Sequence, residues 1–336
     1  MKTSNGIGIS TAVIFPDQDL WLGASGMSDP INSVPITSDM LFYIGSITKN
    51  FMAALILKLS EEEKLSLEDP LHKWLPKYKN INSEITVRQL LNHTSGIFDY
   101  VEHPNSYDKK RLDSFDMTKV WTPEEIILSL VKEPYFSPGQ GWHYSSTNYV
   151  LLGMIVETIT QSKLSKEIRK RFLDPLCLES MFSDYYESIP AKSQIAHNWF
   201  DFNRNGTLDD LMTKPREAIA TWAYGEMYSN AVDLAKWFDY LFRGEVINEG
   251  SLKEMLTFHS PTPGEDWMEG YGLGIGEGNI NGLKYWLHTG KIFGYTAGVV
   301  YLPNFRLTMS LLGNDNTESV ERIGFSLIQT ILRYLG

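Results

Sequence analysis

Runs rich in β-branched and other apolar residues lie near both ends of the chain, and apolar residues recur at helical spacing in between. Residues 8–15 and 20–26 are two such β-rich runs, and the polar residues 16–19 between them predict a hairpin. From Ser46 onward, apolar residues recur three or four positions apart up to the acidic residues 61–63. That spacing predicts a helix with one buried face.

The middle of the chain is predicted to be mainly helical. Thr122-Pro123-Glu124-Glu125 is a strong helix start, with an N-cap, a proline at the first position and acids in the first turn. Further helices are predicted over 87–93, 148–159, 166–173, 233–243 and 251–258.

The last third returns to strands and ends in a helix. The β-rich runs cover 283–288, 297–302 and 307–312, and the closing helix covers 318–335. This order predicts an α+β fold, in which helices flank an antiparallel sheet. We expect residues 1–60 and 218–336 to form the sheet lobe and residues 61–217 to form an inserted, mainly helical lobe, with the active site between them.

Composition and charge narrow the classes of partner. The 336 residues include 30 Lys and Arg against 41 Asp and Glu, a net charge of −11. An acidic surface disfavours a nucleic-acid backbone or an anionic membrane, so we expect neither as partner. No apolar run of about eighteen residues occurs, so no membrane span is predicted. Cys177, the only cysteine, excludes an intrachain disulfide and is expected to be a small core residue.

The pattern that carries chemistry is Ser-x-x-Lys, which places an amine beside a hydroxyl on one helix face. A serine hydroxyl is a poor nucleophile unless a base lies within hydrogen-bond reach. The chain contains three such pairs, Ser46/Lys49, Ser106/Lys109 and Ser129/Lys132. Only Ser46 lies at a strand-to-helix junction before a buried-looking helix. A lysine packed there is desolvated, which lowers its pKa and makes it a base, although a plain helix N-cap is the alternative for Ser46.

Two later segments fit the same chemistry. A turn delivers Tyr144 directly before a predicted helix, and a tyrosine hydroxyl near a lysine can shuttle a proton. His288-Thr289-Gly290 lies on a predicted strand, where Gly290 allows a substrate to approach the backbone closely. The N–H of Lys291 is then a candidate oxyanion donor. The alternative for Tyr144 is a buried aromatic side chain with one hydrogen bond. The alternative for His288-Thr289-Gly290 is an edge strand that binds no ligand.

The three segments together resemble the serine β-lactamase and penicillin-binding-protein superfamily. They are Ser46-Ile47-Thr48-Lys49, Tyr144-Ser145-Ser146 and His288-Thr289-Gly290. Within it, the chain is similar to the branch of class C β-lactamases and D-alanyl-D-alanine carboxypeptidases, which also contains β-lactamase-like esterases. The segment Leu90-Leu91-Asn92-His93-Thr94-Ser95-Gly96 matches that branch as well.

The resemblance implies a role for each site residue. Ser46 would be acylated, while Lys49 and Tyr144 would share its proton. The backbone N–H groups of Ser46 and Lys291 would hold the oxyanion. Four residues would contact the substrate: Ser146, His288, Thr289 and Gly290. No metal or organic cofactor is implied.

Two positions depart from the family pattern. Ser146 stands where the family usually has Asn, and its shorter side chain puts a direct hydrogen bond to a substrate amide in doubt. Asn148 is expected to face elsewhere from its helix. His288 stands where β-lactamases of this class usually have Lys, and it supplies only a partial positive charge at neutral pH.

Three functional hypotheses follow, each with a small-molecule or peptide substrate. The leading one is a hydrolase of D-amino-acid peptides or β-lactams that forms an acyl-enzyme on Ser46. The alternatives are an esterase for short acyl esters and a penicillin-binding sensor domain without turnover. If a signal peptide has been removed, the resemblance implies a periplasmic or extracellular location. Because residues 1–6 show no secretion-signal pattern, a cytoplasmic location also stays open.

Overall fold

The computed structural model describes residues 8–102, 121–201, 205–213, 221–260, 268–292, 294–315 and 319–335. Its main sheet contains the strands β1 (Gly8–Ile14), β2 (Leu20–Asp29), β3 (Val34–Pro35), β9 (Gly270–Tyr271), β10 (Gly276–Ile280), β11 (Leu283–Ile292), β12 (Tyr295–Leu302) and β13 (Leu307–Gly313). A smaller sheet contains β4 (Phe42–Tyr43), β5 (Phe182–Ser183) and β8 (Met227–Ser229), and β6 (Trp199–Phe200) pairs with β7 (Asp209–Asp210).

The main sheet combines both ends of the chain. Its strand order is β3-β2-β1-β13-β12-β11-β10-β9, and every pairing is antiparallel. The predicted hairpin closes with Ile14 opposite Leu20, and Ile9 lies opposite Gly313. The predicted α+β class is therefore confirmed, whereas the lobe boundaries stay a prediction.

Eight helices lie in the described ranges. They are α1 (Thr48–Glu61), α2 (Val87–Leu91), α3 (Pro123–Leu130), α4 (Ser146–Thr160), α5 (Leu164–Ile168), α6 (Ala231–Phe242), α7 (Glu249–Met255) and α8 (Ser319–Leu335). None of these helices is both long and apolar enough to span a membrane. The start of α3 is a capping box in which Thr122 accepts from the N–H of Glu125.

Three local predictions needed correction. The helix expected to end near Phe258 ends at Met255, because His259 exchanges backbone hydrogen bonds of 2.9 and 3.0 Å with Tyr271 of β9. The helix predicted over 166–173 is α5 followed by a π-helical turn. Cys177 is exposed, not buried, because it lies in a turn with a φ of 53°.

The core surrounds α1, which is buried from Thr48 to Leu57. Phe51 stacks on Trp237 of α6 with ring centroids 4.0 Å apart. Asn50 connects three elements, since it accepts from the Trp237 indole at 2.8 Å and donates to the Gly274 carbonyl at 3.1 Å. Lys49, on this same helix, is therefore held in a rigid part of the molecule.

The small sheet positions the residues that precede α1. Phe42 lies opposite Ser229, and the N–H of Ile44 donates to the carbonyl of Met227 at 2.9 Å. Its strands are two or three residues long, too short for their apolar pattern to predict them. Beside β8, the buried Glu226 accepts from the Ser183 hydroxyl at 2.7 Å and from the Tyr185 N–H at 3.1 Å.

α8 packs on the main sheet, and an apolar cavity of about 100 Å³ lies between part of this helix and the sheet. Gly324 of α8 lines it, and a Cβ atom there would make ordinary contacts, 3.8 Å from Leu311 and 3.9 Å from Met309. We expect Gly324→Ala to stabilise the protein by about 1 kcal/mol, because glycine disfavours a helix interior. Guanidinium unfolding measures this. Gly272→Ala is the control of opposite sign, since its Cβ would lie 2.1 Å from the carbonyl oxygen of Met255.

Burial raises the pKa of Glu226 to about 8, so this side chain is mainly protonated in the native protein at neutral pH. The unfolded chain ionises near pH 4.5, the ordinary value for the group. Ionisation of the buried carboxyl group opposes folding. The contribution of Glu226 to the free energy of unfolding is therefore greatest below pH 4.5 and is lost as the pH rises to about 8. We expect Glu226→Gln to unfold with a flatter pH dependence than the wild type between pH 5 and 9. Equal slopes for the two proteins, measured by denaturant unfolding, would contradict this.

Candidate active site

Ser46 lies in a tight turn between β4 and α1. Residues Gly45–Ile47 form one 3-10 turn, and Gly45 adopts a φ of 52°, in the left-handed region that favours glycine. The partly exposed Ser46 hydroxyl accepts a hydrogen bond from Lys49 Nζ at 2.9 Å. Ser46 is not the N-cap of α1; that position is Ile47, without a side-chain cap. Its hydroxyl is therefore directed to the lysine instead of the helix end.

Lys49 is fully buried, and aromatic rings surround its amine. Nζ also donates to the backbone carbonyl of Tyr224 at 3.2 Å. It lies 4.9 Å from the ring centroid of Tyr144, 4.8 Å from that of Tyr224 and 5.7 Å from that of Tyr149. Aromatic faces can hold a cation without supplying a fixed negative charge. Lys49 thus lies in contact with both Ser46 and Tyr144, the two other residues that the sequence pattern selected.

Strand β11 approaches the Ser46 turn so closely that side chains are excluded. A Cβ atom on Gly290 would lie 2.0 Å from the carbonyl oxygen of Ile44 and 3.0 Å from the backbone nitrogen of Ser46. A Cβ atom on Gly45 would lie 3.1 Å from the nitrogen of Lys291. The backbone nitrogens of Ser46 and Lys291 therefore lie on adjoining segments, as a pair of oxyanion donors requires.

His288 is buried, with 1% of its surface exposed. Its Nδ1–H donates to the Thr289 carbonyl at 2.7 Å, so Nε2 accepts from the Tyr271 hydroxyl at 3.0 Å. Burial, and then the charge of Lys49, lower the pKa of His288 to about 3. This residue is therefore neutral at physiological pH, and the partial positive charge expected from the sequence is absent. Thr289, the next residue of β11, is half-buried.

The Tyr144 segment leads into α4. Ser146, in the place of the family's Asn, is 3% exposed at the first position of that helix. Asn148 faces elsewhere, as expected: its Oδ1 accepts from the Ser95 hydroxyl at 2.8 Å, and its Nδ2 lies 3.3 Å from His93 Nδ1. The amide of Asn148 therefore does not replace the missing one.

Sequence reasoning missed Tyr224 and Tyr271 as neighbours of this site. Tyr224 contacts Lys49 through its backbone carbonyl and its ring. The Tyr271 hydroxyl donates a hydrogen bond to His288 Nε2. Tyr224 belongs to no recognisable local pattern. Tyr271 lies in the family-like segment Tyr271-Gly272-Leu273-Gly274, but that pattern assigns it no role, and only the fold brings it to His288. Within the described ranges, no group of three or more His, Cys, Asp or Glu side chains is arranged to hold a metal ion.

The chain is similar to known proteins over most of its length. The family model described as Beta-lactamase matches residues 1–329. Protein flp of Staphylococcus aureus (strain COL) is 26% identical over 302 residues, which cover 89% of this chain and 57% of that protein. The chain thus spans little more than half the length of such curated relatives.

Two solved structures have similar folds. A D-stereospecific amidohydrolase from Streptomyces sp. is 31% identical, with a TM-score of 0.80 over 92% of this chain and 90% of that one. The D-amino acid amidase from Ochrobactrum anthropi SV3, complexed with D-phenylalanine, is 25% identical, with a TM-score of 0.87 over 98% and 95%.

The close approach of β11 generates a prediction. We expect Gly290→Ala to slow covalent labelling of Ser46 by a serine-reactive phosphonate about 100-fold, because the added methyl group separates the two donor nitrogens. Gly298→Ala is the matched control on the neighbouring strand, opposite Thr289, where a Cβ atom would meet nothing within 4 Å. Circular dichroism checks that both variants fold, and equal labelling rates would refute the assignment.

Proposed function

The chain belongs to the β-lactamase family, and we propose that within it this protein is a serine hydrolase that cleaves amide bonds of D-amino-acid derivatives. The observation that carries the proposal is the 2.9 Å hydrogen bond between the Ser46 hydroxyl and the buried amine of Lys49. A hydroxyl becomes a competent nucleophile when a base lies at this distance.

Acylation begins when the Ser46 oxygen attacks the carbonyl carbon of the substrate. This step requires the neutral form of the Lys49 amine, which accepts the Ser46 proton, and the backbone N–H groups of Ser46 and Lys291 stabilise the oxyanion that forms. When the tetrahedral intermediate collapses, the carbon–nitrogen bond breaks. Tyr144, whose ring lies beside the Lys49 amine, passes the proton to the departing nitrogen. The amine leaves, and an ester on Ser46 remains.

Deacylation repeats these steps with water as the nucleophile. The Tyr144 and Lys49 pair accepts a proton from water, hydroxide adds to the ester carbonyl, and the acyl product leaves as Ser46 regains its proton. The same two oxyanion donors serve both steps. From the family resemblance, we assign the contacts beside the reacting carbonyl to Thr289, Gly290 and Ser146.

The neutral state of His288 favours substrates without a free carboxylate at this position. A lysine there would offer a fixed positive charge to a β-lactam or to a C-terminal carboxylate, whereas a buried neutral imidazole offers none. The names of the two similar structures point to D-configured amides. We therefore place D-aminoacyl amides ahead of β-lactams and of peptides with a free C-terminus.

Esterase activity is the second candidate, because a neutral His288 suits a short acyl ester equally well. Esters also have better leaving groups than amides, so an amidase of this kind cleaves them as well. The ratio of amide to ester turnover distinguishes the two functions. A penicillin-binding sensor is distinguished by a stable adduct on Ser46 that does not turn over.

A panel of substrates tests the proposal. The wild type is assayed with D- and L-phenylalanine p-nitroanilide, a D-Ala-D-Ala peptide, a chromogenic cephalosporin and p-nitrophenyl butyrate. We expect kcat/KM for the D-anilide to exceed that for the L-anilide and for the two substrates that carry a carboxylate. We expect Ser46→Ala to reduce it by about 1,000-fold or more, since the variant has no nucleophile.

Ser129→Ala is the control variant, because Ser129 begins another Ser-x-x-Lys pair but lies exposed on α3. It is expected to keep wild-type rates. Retained D-anilide hydrolysis in Ser46→Ala would disprove the nucleophile assignment. Preferred hydrolysis of the cephalosporin would disprove the substrate class alone.

A further inference from the structure

We propose that His93, which takes no part in the reaction derived above, is a positioning residue that holds Tyr144 in place beside Lys49. The inference rests on the proposed function, because it requires Tyr144 to relay a proton. Three features of His93 carry it: its backbone conformation, its contacts with three consecutive residues, and the state of its ring nitrogens.

The backbone of His93 is strained. This residue follows the short helix α2 with a φ of 64°, in the left-handed region that glycine or asparagine usually fills at a helix end. A histidine held there costs about 1 kcal/mol or more, and such strain persists where the surroundings over-determine it. The surroundings of His93 therefore hold it in this conformation.

His93 contacts each residue of the segment 143–145. Its carbonyl oxygen accepts from the N–H of His143 at 3.1 Å, and its Nδ1 accepts from the N–H of Ser145 at 3.1 Å. Between these two hydrogen bonds, the imidazole packs on the ring of Tyr144, with centroids 4.3 Å apart and planes tilted by 33°. Tyr144 is thus fixed from both flanking peptide groups and from one face of its ring.

The ring nitrogens show that this contact requires an imidazole in its neutral form. Because Nδ1 accepts from Ser145, the ring proton lies on Nε2, and this buried nitrogen has no hydrogen-bond partner in the described part of the chain. Leaving a donor unpaired costs about 1–3 kcal/mol, so an apolar ring would suit a purely structural position better. What an apolar ring such as phenylalanine would lack at this position is the hydrogen-bond acceptor Nδ1, which binds the N–H of Ser145.

The surroundings of His93 keep it neutral. The ionisable groups facing it are Lys49 of α1, His288 of β11, His143, Tyr144, Tyr149 of α4 and Tyr271 of β9. Burial first, and then the charge of Lys49, hold the pKa of His93 well below its ordinary value. A proton on Nδ1 would face the N–H of Ser145, and the hydrogen bond that helps to hold Tyr144 in position would be lost.

A double-mutant cycle tests the inference. His93→Phe keeps a ring beneath Tyr144 but removes the acceptor for Ser145. We expect it to lower kcat on the D-anilide about 10- to 100-fold, with KM nearly unchanged, because a small displacement of a proton relay is costly. In a Tyr144→Phe background, the same substitution is expected to change kcat less than about 3-fold, because the group it positions is already gone.

His93→Asn is the second variant, used if His93→Phe does not fold. Asparagine tolerates a left-handed φ and keeps an acceptor for Ser145, but offers no ring to Tyr144. The His93→Asn substitution is expected to lower kcat in the wild-type background and to leave kcat nearly unchanged in the Tyr144→Phe background. Equal fold-losses in both backgrounds, or wild-type kcat in the single variant, would overturn the positioning role alone. Full activity of Tyr144→Phe by itself would instead contradict the proposed function.

Discussion

The close approach of β11 to the turn before α1 is the constraint on which the site depends. Two glycines, Gly45 and Gly290, face each other across this junction, where a side chain on either would collide with backbone atoms or crowd them. Backbone segments that pack this closely leave their N–H groups little freedom to move. That rigidity is what an oxyanion site needs, because donors oriented in advance cost no reorganisation during reaction. The rest of the fold holds these two segments together.

The second organising feature is a buried lysine amid rings and neutral imidazoles. Lys49 lies among Tyr144, Tyr149 and Tyr224, and the two buried histidines nearest to it, His93 and His288, both have lowered pKa values. Two shared causes keep both histidines neutral: burial disfavours their charged forms, and the lysine repels a second positive charge. The two histidines thus add no positive charge to the site for a substrate carboxylate. This electrostatic character supports the proposed preference for amide or ester substrates over β-lactams.

The connectivity explains how distant residues meet. Strand β13 returns from the C-terminal region to pair with β1, which places β11 two strands from β13 and beside the start of α1. The short strands of the small sheet then fix the residues before Ser46. The nucleophile, the turn bearing Tyr144 and the β11 backbone come from parts of the chain about 100 and 240 residues apart, yet each is rigid where it enters the site.

The sequence by itself determined the α+β class and the long strands and helices, and it selected Ser46 as the candidate nucleophile among three similar pairs. Those features depend on local periodicity and on short motifs, which are readable wherever an element is long enough to repeat its pattern. The two-residue strands, the exposure of Cys177 and the end of α7 at Met255 depend on tertiary contacts that leave no periodic trace. The neutral state of His288 was likewise beyond the sequence, because burial and the distance to Lys49 set it. Tyr224 and the contacts of His93 with 143–145 also became visible only once the chain had brought remote segments together.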